Sequence, residues 1–321
     1  MIELLKTYDR EAHLKRINVQ SNFELEYLFS KKWKKDEDIP YVLKTHLLDS
    51  YYCLPERPDM AFTFLWKCIN NIYSSYHRKN SVDVEIGDAI LLDYMIKGIS
   101  SKLSATITCD RDSLTLLELI EKFILKTPDK ITKFIANYIL KSYAIEMTIK
   151  DNRFVSSSFN TFKSKKNGFE DIYKIIIEAY GSKYLTLVNP KIFNGDVEMQ
   201  ISNPDTNKKI IDSLAGKIKN LLLNKETEIL TNDGKSHILK FSNNEQYIRF
   251  IVKNILYAIR NNTIHGKIAS RLNSKYKNDA SFESSKFVYL LGYLFLSLML
   301  FVNDDLLAED LCFNLENYKK L

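Results

Sequence analysis

With 321 residues, 45% of them hydrophobic, and only nine glycines and six prolines, the chain suits one large or two modest helical domains and argues against wholesale disorder. Its net charge of +6, from 46 basic against 40 acidic residues, is compatible with a polyanionic partner and equally with the plain solubility of a lysine-rich protein. The sequence carries no glycine-rich phosphate loop and no Gly-x-Ser-x-Gly elbow, which argues against the common ATPase, dinucleotide-enzyme and serine-hydrolase designs.

In chain order, residues 1–38 read as an N-terminal helical and basic extension, with a helix expected at Asn22–Trp33 and a cluster Lys31-Lys32-Trp33-Lys34-Lys35. A tryptophan among ammonium groups suits a nucleic-acid strand. The same cluster also reads as a solvated helix end that compensates the helix dipole. Pro40–Tyr52 predicts a helix halted near Pro55, and Pro58 suits the first turn of the next one, where its missing N–H costs nothing. Along that helix Phe62, Trp66, Ile69 and Tyr73 form a stripe that Leu65, Ile72 and Tyr76 broaden, the pattern of a core-facing surface. Helices are expected at Val84–Ser100, Ser113–Leu125 and Asp129–Thr148, with starts signalled by Asp112-Ser113 and Pro128-Asp129.

The polar stretch Asp151–Gly168 reads as a loop or internal boundary, after which helices resume at Phe169–Tyr180 and Asn207–Leu223. Two short apolar runs flank Thr231-Asn232-Asp233-Gly234-Lys235, a β-hairpin signal at about 228–241 and the one sheet expected in a mainly α chain. The last section supplies an amphipathic helix with Ile248, Ile251, Val252, Ile255 and Ile259 on one face, then an apolar helix, then a short helix at Asp304–Tyr318. Phe287–Val302 runs sixteen residues without a charge. That is short of the roughly 20 needed to span a bilayer, so it is expected in the core or at a dimer interface, with no membrane partner.

The four cysteines (Cys53, Cys68, Cys109 and Cys312) are scattered, without Cys-x-x-Cys spacing, and the N-terminus has no apolar leader. They read as reduced thiols of a cytoplasmic protein. His13, His46, His77 and His237 show no metal-ligand spacing, so neither a metal nor a cofactor is expected.

The most informative run is Tyr257-Ala-Ile-Arg-Asn-Asn-Thr-Ile-His-Gly266. It pairs a permanent cation, Arg260, with a side chain that titrates near neutrality, His265, and a carboxamide, Asn261, follows the arginine. A guanidinium grips phosphate oxygens in a fixed fork, and an imidazole moves protons. The five-position offset from Arg260 to His265 turns about 140° on a straight α-helix. Either the helix breaks at Asn261-Asn262, or two copies of the chain share a composite site. Arg249, Lys253 and Lys267 lie near the motif in sequence, as candidates for an RNA path or as solvated-face residues.

Arg260, Asn261 and His265, after an apolar helix and before Gly266, resemble the signature of the HEPN superfamily, with a flavour similar to HEPN domains linked to anti-phage defence. The stretch Ala61–Tyr73 is similar to the first long helix of such domains. The resemblance implies an elaborated helical bundle over residues 39–321, split by an inserted helical region at about 101–240, with the catalytic motif in 244–303. It also implies packing of the 58–76 aromatic face against the motif helix, with Asn70 or Asn71 reaching the site. The implied activity is metal-independent RNA cleavage by 2′-hydroxyl attack, leaving a 2′,3′-cyclic phosphate, in a toxin or abortive-infection setting. The implied partners are RNA, a second copy of the chain, and an inhibitor or sensor protein. The alternative is a non-catalytic HEPN-like module that binds RNA, a nucleotide or a partner protein.

Overall fold

The computed structural model describes residues 24–80, 87–109, 112–149, 168–193, 196–264 and 279–321, together with Asp9 and Glu11. In chain order the helices are α1 (Tyr41–Tyr52), α2 (Pro58–Asn80) and α3 (Asp88–Ser101). A hairpin of β1 (Thr106–Cys109) and β2 (Asp112–Thr115) follows, then α4 (Leu116–Leu125), α5 (Asp129–Ile149) and α6 (Glu170–Val188). A second hairpin, β3 (Pro190–Phe193) and β4 (Asp196–Met199), leads to α7 (Pro204–Asn224), and a third joins β5 (Glu226–Leu230) to β6 (Ser236–Lys240). Next come α8 (Asn244–Ile251), π-helical turns at Val252–Tyr257, α9 (Ala258–Ile264), α10 (Asp279–Val302) and, after a 3-10 turn at Glu309–Cys312, α11 (Phe313–Tyr318).

The chain is thus mainly α with small antiparallel hairpins, and the described residues hold three of these rather than one. The expected hairpin is present at β5–β6, where Ile229 pairs with His237 around the Asn232–Gly234 turn. The other two are four-residue strands, too short for a period-2 pattern to stand out. Asp112-Ser113, read as a helix start, belongs to β2. The helix begins at Leu116 because Thr115 and Glu118 form a reciprocal capping box, Thr115 Oγ1 accepting from the Glu118 N–H and the Glu118 carboxylate accepting from the Thr115 N–H.

Two compact units divide the residues. Unit 1 takes the residues up to Pro128 and Leu256–Leu321, and unit 2 is Asp129–Ile255. The inserted segment therefore starts and ends later than the expected 101–240. The cause lies in unit 1, where α4 packs Phe123 on Tyr318 of α11 at 5.7 Å and β1 is tied to the 3-10 turn before α11.

Within unit 1, α2 sits against α1, α3, α9 and α10. The approach of α2 to α10 needs Gly292, since a Cβ there would fall 2.8 Å from Phe62 Cε2. By length and composition α10 is apolar enough to cross a bilayer, yet it is buried on nearly all sides of unit 1, as its tyrosines and serine require. Tyr293 shows how these polar atoms are satisfied. Its hydroxyl accepts from the Leu28 N–H at 2.6 Å and shares a 2.5 Å hydrogen bond with Tyr51.

Residues 24–30 are in no regular element, not in the expected helix. The Glu26 and Leu28 N–H groups donate across the chain to Asn317 Oδ1 and Tyr293 instead of to their own i−4 carbonyls. Asn317 returns the bond to the Glu26 carbonyl, so the segment is strapped to the C-terminal end of unit 1. The basic cluster serves this strap: Trp33 Nε1 donates to the Asp305 carbonyl, Lys32 Nζ to the Asp304 carbonyl, and Lys31 pairs with Glu309. The expected helix at Asp304–Tyr318 is likewise broken. Asp304 adopts a left-handed φ of 65°, and the Asp310 carboxylate accepts from the Leu307 N–H.

Cys109 and Cys312 form a disulfide in unit 1, which corrects the reading of four reduced thiols; sequence spacing gave no sign of it because the partners are 203 positions apart. Cys53 and Cys68 are free. Burial pushes the Cys68 thiol up to about 12 and raises that of Cys53. Alkylation with peptide mapping is expected to label Cys53 slowly in the native protein, Cys68 only after unfolding, and Cys109 and Cys312 only after reduction. Cys109→Ser is expected to lower unfolding stability by ~2–5 kcal/mol in a urea titration, because so long a loop is closed by the bond.

Unit 2 gathers α5, α6 and α7 around one another, with β5–β6 laid on α6 and α7. Its aromatic centre joins Phe250 to Phe169 at 5.5 Å and to Phe241 at 5.3 Å. Tyr173, fully buried, donates to Asn254 Oδ1 at 2.7 Å.

Candidate functional site

The helix entering the motif is not uniform. After α8 the Val252–Tyr257 stretch widens into π-helical turns, which re-aim the residues that follow, and such turns recur at functional sites. Normal α geometry resumes at Ala258 and continues through Asn261 and Asn262 to Ile264, so the helix does not break at those asparagines, the first of the two alternatives. Asn262 Nδ2 donates to the Ala258 carbonyl at 2.7 Å, and Thr263 Oγ1 donates to the Ile259 carbonyl at 2.8 Å. Both side chains fold back on their own helix.

Arg260 is half-buried in unit 1. Its Nη1 donates to Asn261 Oδ1 at 2.7 Å, and its guanidinium stands 5.9 Å from the centre of the Tyr257 ring, within cation–π range. Among the described residues its buried Nε has no hydrogen-bond partner. Asn261 is 7% exposed, so its carboxamide is a fixed brace rather than a solvent-facing ligand. Tyr257 in turn packs against Trp66 of α2 at 5.9 Å.

Two turns further along α2, the fully buried Tyr73 donates through its hydroxyl to Asn70 Oδ1 at 2.7 Å. Burial raises the Tyr73 pKa far above the ordinary phenol value; the Asp88 carboxylate at the start of α3 adds to this, and the Arg260 cation opposes it. The phenol is therefore protonated near neutrality and serves as a donor. Arg260, Asn261 and Tyr257, with Tyr73, Asn70 and Asp88 near enough for the Arg260 charge to act on the Tyr73 phenol, thus make up a polar group within unit 1.

Of the residues singled out from sequence, Arg260, Asn261 and Asn70 belong to this group. Asn71, the next residue on α2, is half-buried and takes no part in it among the described residues. His265 and Lys267 lie outside the described residues. Arg249 belongs to unit 2, where it pairs with Glu245 at 2.8 Å beside Gly168, whose φ is 86° and where a Cβ would fall 3.0 Å from the arginine's Nη1. Lys253 is only 4% exposed, which corrects both readings of it, as a lysine on an RNA path and as a solvated-face residue. The helix is buried on every side from Phe250 to Leu256, so one-face periodicity misplaces that position.

The residues that sequence reasoning missed are Tyr257, Tyr73 and Asp88. Tyr73 carried a weak signal, standing three positions from Asn70 on the same helix face. Asp88 carried none. Among the described residues no three His, Cys, Asp or Glu side chains stand close enough to hold a metal ion.

The chain matches no protein-family model, no curated protein and no solved structure. The functional reading therefore rests on the chemistry of the site and on the resemblance of its motif.

Proposed function

We propose that this chain is a metal-independent endoribonuclease of a toxin or anti-phage defence system, with Arg260 as the phosphate-binding cation and His265 as the proton-transfer group. The observation that carries the reading is the state of Arg260. One edge of its fork is braced by Asn261, its plane leans on Tyr257, and among the described residues its Nε is unpartnered, on the helix that leads to His265. A buried donor left without a partner costs about 1–3 kcal/mol, and an anionic phosphate oxygen would recover it.

The chemistry follows from these groups. The 2′-oxygen attacks phosphorus while one imidazole accepts the 2′-hydroxyl proton. Arg260 stabilises the charge that builds on the non-bridging oxygens. The 5′-oxygen leaves as the P–O5′ bond breaks and takes a proton from an imidazolium, giving a 2′,3′-cyclic phosphate and a 5′-hydroxyl. A homodimer supplies the two imidazoles, one as base and one as acid. An inhibitor or sensor protein would hold the activity in check in the cytoplasm, with the unit at 129–255 as its natural docking element.

Labelled single-stranded RNA incubated with the purified chain in EDTA tests the proposal. Cleavage that disappears in His265→Ala, with the circular dichroism spectrum unchanged, is the expected result. RNA that is bound but left intact by the wild type favours the non-catalytic module.

A further inference from the structure

The Cys109–Cys312 disulfide lies where a reductant can reach it. Both cysteines are half-buried rather than sealed in the core of unit 1. The bond joins β1 to the 3-10 turn Glu309–Cys312, and the loop it closes takes in the whole of unit 2. It therefore fastens together the two stretches of chain that make up unit 1. A disulfide that outside thiolates can approach is open to exchange, since the attacking thiolate needs access to a sulfur atom. In a cytoplasm kept reducing by glutathione and thioredoxin, such bonds are transient and serve catalysis or redox sensing.

What the bond fastens is the segment that anchors the N-terminal strap. Glu26 exchanges two backbone hydrogen bonds with the Asn317 side chain, Ser30 Oγ donates to the Asp310 carboxylate, and Lys31 pairs with Glu309 at 3.2 Å. Lys32 and Trp33 donate to the Asp304 and Asp305 carbonyls. Strap and C-terminal segment thus hold each other. The segment meets the helices of unit 1 through Asn314 on Ser297 at 3.0 Å, Phe313 on Tyr293 at 5.6 Å and Tyr318 on Phe123 at 5.7 Å. Each of those contacts breaks whenever the segment opens. The disulfide alone keeps β1 and the turn joined during an opening, so it limits how far strap and segment can separate from the rest.

We propose that Cys109–Cys312 is a thiol–disulfide exchange site, reduced by a dithiol and restored by a disulfide, whose redox state sets the local stability of the strap and of residues 304–321. In the reductive direction a thiolate of the dithiol attacks one sulfur, the S–S bond breaks, and the released cysteine sulfur takes a proton. The second thiol of the dithiol then resolves the mixed disulfide. Two electrons pass to the protein, which ends with two thiols while the dithiol ends as a disulfide. The assignment rests on the cytoplasmic placement proposed above. It uses none of the residues around Arg260, so its test reads no RNA cleavage and its failure leaves the nuclease chemistry untouched.

Amide hydrogen exchange of the full chain, oxidised and after dithiothreitol under native conditions, tests it, with peptide mapping to confirm the state of both cysteines. The folded protein is expected to give up this disulfide without denaturant. Amides of β1, the strap and residues 304–321 are expected to exchange about tenfold faster in the reduced protein, and those of α5, α6 and α7 at an unchanged rate. Oxidised glutathione is expected to restore slow exchange. Cys312→Ser is expected to match the reduced wild type with or without dithiothreitol; should it fail to fold, Cys109→Ser gives the same readout. A bond that yields to dithiothreitol only after denaturation, or thiols that oxidised glutathione does not rejoin, would overturn the exchange site. Reduction that leaves exchange in the strap unaltered, or that speeds it equally throughout the chain, would overturn the local switch.

Discussion

Arg260→Ala is expected to slow RNA cleavage by about 10²–10³-fold, the range lost when one preorganised donor to a developing oxyanion is removed. The fold should survive, because the guanidinium is half-buried and its hydrogen bond is to the neighbouring Asn261. Arg260→Lys separates charge from geometry. A lysine keeps the cation but has a single point of donation and cannot brace against Asn261 while gripping a phosphate. It should recover binding of RNA measured at low salt without recovering the rate. Single-turnover kinetics of the three proteins, with RNA binding measured in parallel, reads both quantities. Equal rates for Arg260→Lys and wild type would mean that a positive charge alone is needed there.

Trp66→Ala is expected to destabilise the protein by about 3–5 kcal/mol, as for other large aromatic deletions from a core. Trp66 is 1% exposed and stands between Phe62 at 6.0 Å and Tyr257 at 5.9 Å. Its removal takes away the surface that seats Tyr257, and with it the ring under Arg260. Activity should fall further than the loss of folded protein explains. Trp66→Phe keeps a ring in place and should cost less on both counts. Urea titrations together with cleavage rates at matched folded fractions make the comparison. A stable Trp66→Ala variant would contradict this packing, and a destabilised one with normal specific activity would show that Tyr257 does not depend on it.

Much of the helical framework was legible in the sequence because its signals are local and periodic. The Phe62–Tyr76 stripe reports its own burial, and the uncharged run at Phe287–Val302 could satisfy its apolar surface only inside a core or against another apolar surface. The Asn232-Asp233-Gly234 turn likewise betrays its hairpin. The residues that escaped depend on long-range partners. Glu26 and Leu28 sit in a non-helical strap because Asn317 and Tyr293, 291 and 265 positions away, take their N–H groups. Cys109 and Cys312 carry no mark of pairing. The π-helical turns at Val252–Tyr257 have no compositional signature, and the burial of Lys253 there runs against every expectation for a lysine.

The candidate site was legible in the same uneven way. Arg260 and Asn261 stand out because a cation, a carboxamide and a histidine occur together after an apolar helix. Their supports do not. Tyr73 looked like one more core aromatic, and only the structure places its hydroxyl among Asn70, Asp88 and Arg260. Asp88, a helix-start residue on α3, reaches that hydroxyl through tertiary packing alone.

The chemistry at phosphorus is tested most directly by the ends of the RNA products. Mass spectrometry of fragments made in EDTA is expected to find 2′,3′-cyclic phosphates facing 5′-hydroxyls, with all-DNA strands of the same sequence left whole. Fragments ending in a 3′-hydroxyl and a 5′-phosphate, or cleavage of the DNA strand, would contradict attack by the 2′-oxygen under Arg260 and His265.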